Sequence, residues 1–247
     1  MEREEKIGED IKNVLSVSHV SCGEKHTLFL VDDLLYGIGD NSNHQLGNTD
    51  NVIYNPVLLY ENVTDFSCGR MFSMFKTSSG IFFVGSNYYG PCGMDVEVVV
   101  TPLLLPNSQN ATSFSCGSDH VVMARGKDIY SSGYNLFGQL GIEGGFVERK
   151  FRKLDIELRD AKIVCNRDCN FAFNSEKVYA WGSNLFNQLG NERQLILLPE
   201  LVVEGIGISR VITTRGQTVI FTSTGIYHSS HNSFIRLGNI RCKSSRR

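Results

Sequence analysis

The sequence predicts an all-β protein: a β-propeller of five blades, each of four antiparallel strands, with the ring closed by an N-terminal strand. One template recurs five times, as LLYGIGDNSNHQLG (34–47), IFFVGSNYYGPCGM (81–94), IYSSGYNLFGQLGI (129–142), VYAWGSNLFNQLGN (178–191) and IYHSSHNSFIRLGN (226–239). Its closing glycines, Gly47, Gly93, Gly141, Gly190 and Gly238, are 46, 48, 49 and 48 residues apart. A second landmark keeps the same period: Cys22, Cys68, Cys116, Cys165 and Thr213 stand 17 residues before Gly39, Gly85, Gly133, Gly182 and Ser230. Such a period marks one supersecondary unit copied in tandem, each copy burying its apolar face against its neighbours.

Between the landmarks, apolar runs of four to six residues rich in Val, Ile, Phe and Tyr are broken by Gly, Asn, Asp and Ser, which is the signature of strands and turns. In the third unit SFSC reads as a strand, 117–119 as a tight turn, HVVMA as a second strand, 125–128 as a turn and DIYSSG as a third strand. The loop YNLFGQLG follows, its glycines supplying positive φ or close backbone approach. A fourth strand is predicted in PVLLY (56–60), TPLLLP (101–106), FRKLDI (151–156) and PELVVE (199–204), where proline suits an exposed edge because it cannot donate to the ladder. The fifth unit has no proline-led fourth strand, so Lys6 to Asn13 is expected to supply it and to cover two open edges. The units fall near 17–60, 61–110, 111–158, 159–205 and 206–240, forming one domain over 1–240, with a basic tail at 241–247.

A formal charge of −2 on 247 residues gives no global attraction to nucleic acid or anionic membrane. Only the tail, with Arg241, Lys243, Arg246 and Arg247, offers a local basic patch for nucleic acid. The N-terminus MEREEKIGED lacks the apolar core of a secretory signal, so the expected location is intracellular, cytoplasmic or nuclear. No apolar run approaches membrane-spanning length.

Seven cysteines suggest a metal site, but four recur at one repeat position and Cys92 fills the slot of Leu46, Leu140 and Leu189, so they read as buried packing residues. No zinc-type spacing occurs, and neither a metal nor a cofactor is expected. His26 and His120 share a repeat position filled elsewhere by Phe72, Cys169 and Gln217, which points to buried structural histidines satisfied by a neighbouring turn. The stretch IEGGF (142–146) lacks the Lys-Ser/Thr ending of a phosphate loop. No catalytic residues are assigned, and the chain is read as a non-enzyme.

The coupled pattern, CGxxH, an apolar strand and then G-N-x-x-x-Q-L-G, resembles the repeat of the regulator of chromosome condensation family, with 115–141 the best copy. Familiar members form seven-bladed propellers, so five visible copies imply a reduced ring. The family pattern breaks at Pro91-Cys92, Asn166 and Ser230, and the position before the glycine, often aromatic in the family, is Trp only at Trp181. The resemblance implies either a scaffold that displays loops to protein partners or nucleotide exchange on a Ran-type small GTPase. Exchange needs an inserted wedge, and units of 46 to 49 residues leave no room for one. In the exchange factor, GTPase contacts come from the short turn between Gly and His. The matching positions here are Glu24 and Lys25, Arg70, Ser118 and Asp119, Arg167 and Asp168, and Arg215. These form the expected partner-binding rim, with Asp119 as a turn charge whose reversal should cost less than about half a kcal/mol. The preferred reading is a protein-interaction module acting through this rim, with a small GTPase or a larger assembly as partner; the alternative is a guanine-nucleotide exchange factor.

Overall fold

The computed structural model describes residues 17–205, 207–230 and 233–237. Twenty strands form five separate four-stranded sheets, each an antiparallel meander in chain order. Sheet one holds β1 (Val17–Cys22), β2 (His26–Val31), β3 (Leu34–Asp40) and β4 (Val52–Tyr60). Sheet two holds β5 (Asp65–Cys68), β6 (Phe72–Thr77), β7 (Gly80–Ser86) and β8 (Val98–Leu104). Sheet three holds β9 (Ala111–Cys116), β10 (His120–Arg125), β11 (Asp128–Tyr134) and β12 (Val147–Glu157). Sheet four holds β13 (Lys162–Asn166), β14 (Cys169–Phe173), β15 (Lys177–Ser183) and β16 (Leu195–Glu204). Sheet five holds β17 (Arg210–Thr213), β18 (Thr218–Thr222), β19 (Gly225–Ser230) and β20 (Ser233–Leu237). This is the predicted propeller of four-stranded blades. Its inner strands meet in succession, β1 on β5, β5 on β9, β9 on β13 and β13 on β17.

Each apolar cluster draws on adjacent sheets, as the repeat period requires. Leu28, Leu35, Leu46 and Ile53 of sheet one pack with Phe66 and Phe75 of sheet two. Met74, Ile81, Phe83 and Leu105 of sheet two pack with Phe114 and Met123 of sheet three. Alternation along each strand sends one set of side chains to the preceding sheet and the other to the following one, so both faces of an internal blade are buried.

The outer strands start earlier than the sequence suggests and carry a bulge at one repeated place. Gly37 pairs Val57 but Gly39 pairs Ile53, so the outer strand carries two extra residues there. The same offset recurs at Phe83/Gly85, Ser131/Gly133 and Ala180/Gly182. Pro56, Pro102 and Pro199 all fall inside these bulges, where no ladder donor is required.

The fifth unit departs from the sequence reading. The segment aligned with the loop template becomes β20, which pairs along β19 from Ile226↔Leu237 to Ser230↔Ser233. Sheet five therefore supplies its own fourth strand, in the slot assigned above to residues 6–13. Those residues, and the tail 241–247, lie outside the described residues. The loss of the pivot glycine explains the change. Gly39, Gly85, Gly133 and Gly182 hold φ between +102° and +117°, and a Cβ on any of them would lie 2.3 to 2.7 Å from a backbone carbonyl oxygen of the β1–β2-type turn. Ser230 stands at that position in unit five, where the chain stays extended and runs into a hairpin.

Candidate functional site

The template residues are scaffolding. Asn41, Asn87, Asn135 and Asn184 are buried, and each side chain ties its own loop across several residues. Asn184 accepts from the Leu189 amide at 2.7 Å and donates to the carbonyls of Asn191 and Arg193, both at 2.7 Å. Asn41, Asn87 and Asn135 accept in the same way from Leu46, Cys92 and Leu140. Gln45, Gln139 and Gln188 accept from the amides of Asn43, Phe137 and Phe186 at 2.8 to 3.0 Å. With its backbone groups paired internally, each loop is free to present the residues just after the asparagine.

Those residues carry the chemistry that the sequence reading overlooked. Tyr88, Leu136, Leu185 and Phe186 are exposed, with Phe186 half accessible, and Tyr89 and Phe137 lie partly covered beside them. Tyr88 meets Tyr89 edge to face, and Tyr89 packs on Tyr134 at 4.7 Å. The signal was available: two adjacent apolar residues at the variable positions of an otherwise polar loop, repeated in three successive units.

The loops stand beside the turns that were predicted to form the rim. A backbone belt links these turns around the axis, with the Glu24 amide donating to Arg70 O at 3.1 Å, Arg70 to Ser118 O at 2.8 Å, and Ser118 to Arg167 O at 2.8 Å. Inside the belt lies an axial cavity of about 750 Å³, lined by Glu24, Arg70, Ser118, Asp119, Arg167 and Asp168 together with Tyr134 and Phe137. Lys25 is exposed outside it. Arg215 lies in a smaller adjoining groove of about 150 Å³ with Leu185, Phe186, Arg167 and Asp168. Its guanidinium sits 5.1 Å from the Phe186 ring centroid. Loop leans on the following turn elsewhere too, through Asn43 to Met71 Sδ at 3.5 Å and Gln139 to Asp168 at 3.5 Å.

Asp119 is not the free turn charge expected from the sequence. Arg70 Nη2 donates to Asp119 Oδ1 at 2.8 Å, and Arg70 Nε reaches both carboxylate oxygens at 3.0 and 3.2 Å. The Asp119 carboxylate in turn raises the Arg70 pKa. Asp168 has its pKa raised, first by burial and also by the nearby Asp119 charge, while Arg167 at 3.3 Å opposes the shift.

The cysteine landmarks line the cavity wall, where they make a ladder between sheets. Ser21 Oγ accepts from the Cys68 amide at 3.0 Å while the Cys68 thiol donates to Ser21 O at 3.3 Å. Ser67 with Cys116 and Ser115 with Cys165 repeat both bonds. Burial pushes the Cys68 thiol up to about 12 and raises Cys116 and Cys165 as well, the opposite of what a nucleophile or a metal ligand needs. Cys22, expected to be a buried filler, is exposed. Among the described residues no group of three His, Cys, Asp or Glu could hold a metal. His26 and His120 are buried as expected, but Nε2 of each pairs with a side chain of the next sheet rather than with a turn, Ser73 Oγ at 3.0 Å and Asn170 Oδ1 at 2.6 Å, and Nδ1 of each is buried without a hydrogen-bond partner among the described residues.

A profile of the regulator of chromosome condensation (RCC1) repeat matches residues 32–75, which run from the end of β2 to β6. Human WBSCR16 superposes with a TM-score of 0.77 at 20% identity, over 90% of this chain and 67% of that one. Yeast RCC1 (Prp20), in a crystal with Kap60, superposes with a TM-score of 0.72 at 17% identity, over 86% of this chain and 55% of that one. The chain thus spans about two thirds of the first and just over half of the second. A search of curated protein sequences gives no significant match. The chain carries the RCC1 repeat and has the RCC1-like propeller fold. No helix among the described residues is long and apolar enough to cross a membrane.

Proposed function

We propose that this RCC1-repeat propeller is a protein-interaction module that grips its partner at the cavity mouth, with no catalytic chemistry of its own. The observation that carries this reading is the sector formed by Tyr88, Leu136, Leu185 and Phe186, exposed apolar side chains on loops whose polar groups are already paired. Aromatic and aliphatic anchors beside arginines, here Arg70, Arg167 and Arg215, form the composition typical of protein-binding hot spots. The charged turns set orientation and encounter rate, and the apolar loops supply the buried area. Yeast RCC1 (Prp20), of similar fold, is itself found with a protein partner, Kap60. The module would act inside the cell, in cytoplasm or nucleus.

The test places a photo-crosslinking residue at Leu185 or at Tyr54, which is exposed on the outer strand β4. Partner capture at position 185 that disappears in Leu136→Ser/Phe186→Ser supports the reading. Capture at position 54 instead moves the interface to the blade edges. Substoichiometric protein is also incubated with small GTPases loaded with labelled nucleotide. Unchanged release is expected, and accelerated release would establish the exchange-factor alternative.

A further inference from the structure

The internal junctions between sheets bury the same positions each time, and the two ends of the array leave those positions bare. Two residues before the cysteine landmark stand Phe66, Phe114, Ile163 and Val211, exposed by 8, 5, 6 and 4% beneath the preceding sheet. Their counterpart in sheet one is Val20, 62% exposed, with Phe29 and Tyr36 of the same face partly exposed. On the opposite face the third strand contributes Leu35, Ile81, Ile129 and Val178, each fully buried against the following sheet. Their counterpart in sheet five, Ile226, is partly exposed, as are Val219 and Phe221.

We infer that a second copy of this chain covers these faces, the leading face of sheet one packing on the trailing face of sheet five in a head-to-tail junction. The occupant follows from the repeat itself. Each bare face is one half of an interface that the chain builds between every pair of successive sheets, so the molecule carries both complementary halves. Contiguous apolar faces of this sort mark association surfaces in proteins. The junction is heterologous and runs on as an open helix unless its rotation closes. It is weaker than the first three internal junctions, because Ile212 stands where Ser21, Ser67 and Ser115 pair with the next cysteine, and, as at Val164, that position has no hydroxyl to continue the ladder. Reversible, concentration-dependent assembly is the consequence.

Sedimentation velocity across a wide concentration range tests it on the full chain. Wild type should rise in mass with concentration. Val20→Glu and Val219→Glu should each stay monomeric, with Ile226→Glu as a second trailing-face variant and melting curves confirming that all are folded. An equimolar mixture of Val20→Glu with Val219→Glu should form a species of twice the monomer mass and stop there, since one intact junction remains. A wild type monomeric throughout, association persisting in the single variants, or no heterodimer in the mixture each overturns the inference. So does a monomer destabilised by Val20→Glu, which would mean that the chain covers its own face.

Discussion

Reversing Asp119 should loosen the propeller as well as alter its rim. Exposed ion pairs contribute about 0.2 to 1 kcal/mol, whereas breaking a fully buried pair costs about 3 to 5 kcal/mol. The Arg70 and Asp119 side chains are 35% and 19% exposed and share three hydrogen-bond contacts, which places the pair between those limits. A coupling energy of about 1 to 2 kcal/mol is expected from a double-mutant cycle of Arg70→Ala and Asp119→Ala in urea denaturation. Asp119→Lys should cost about 2 kcal/mol, because it removes the acceptor and sets an ammonium beside the guanidinium. That exceeds the half kcal/mol expected for an isolated turn charge and is a sizeable part of the roughly 5 to 15 kcal/mol that stabilises a typical domain. A coupling below about 0.3 kcal/mol would refute the reasoning and return Asp119 to the solvated turn that its sequence context suggested. If the coupling is confirmed, loss of partner binding in Asp119→Lys cannot be assigned to the rim alone, and Leu185 and Phe186 become the cleaner probes.

His26 and His120 are held neutral by burial, with pKa values lowered to about 4. Because the unfolded chain takes up those protons near pH 6.5, stability should be complete above that pH and decline towards pH 4. The loss is roughly 2 kcal/mol per histidine at pH 5, read from urea midpoints at pH 8 and pH 5 and flattened in His120→Asn. Burial raises the pKa values of Asp65 and Asp168, which act in the opposite direction lower in the pH range. Asn184→Ala should strand the buried Leu189 amide at a cost of about 2 kcal/mol, seen as faster hydrogen exchange across residues 185–191, and should weaken partner capture without removing any contact to the partner. Trp181→Phe should cost about 1 kcal/mol or more by removing the indole bond to Gln139 O at 3.1 Å between sheets three and four, measured by thermal melting.

The period made most of the architecture legible, because a sheet buried on both sides must repeat both its apolar face and the glycines that let backbones approach. Strand positions in unit three followed directly, and the prolines correctly marked outer strands. The outer-strand bulges did not follow, since they depend on the register between the third and fourth strands of a unit, and neither did the Arg70–Asp119 pair, since it depends on how a residue in one unit meets another nearly fifty residues away. Unit five misled for a related reason. Its sequence still aligns with the loop template through Asn232 and Leu237, but Ser230 replaces the positive-φ glycine of the other units and the chain pairs straight back along β19 instead of entering the loop. The turns around the mouth were found by alignment of units, whereas the apolar loop pairs were passed over because the eye follows the residues that recur.

That contrast bears on how a partner is chosen. Asn, Gln and Gly recur because every loop must close its own hydrogen bonds and cross the same backbone, so they report fold and say nothing of the occupant. The two positions after the asparagine answer to no such demand. In sheet one they are polar, Ser42 and Asn43; in sheets two, three and four they are Tyr88-Tyr89, Leu136-Phe137 and Leu185-Phe186; in sheet five the loop is replaced by β20. The apolar loops therefore form one arc on three consecutive blades, bounded on both sides, rather than a full circle. A partner held by that arc would bind off-axis, centred on sheets three and four, where Arg167 and Arg215 flank the adjoining groove. Serine substitutions should follow the same asymmetry: Leu136→Ser and Leu185→Ser should each weaken capture by tenfold or more, on the order of 1.4 kcal/mol, and Asn43→Ser should leave it unchanged. Equal losses at all three positions in a titration with the isolated partner would show an axial footprint and defeat the off-axis placement.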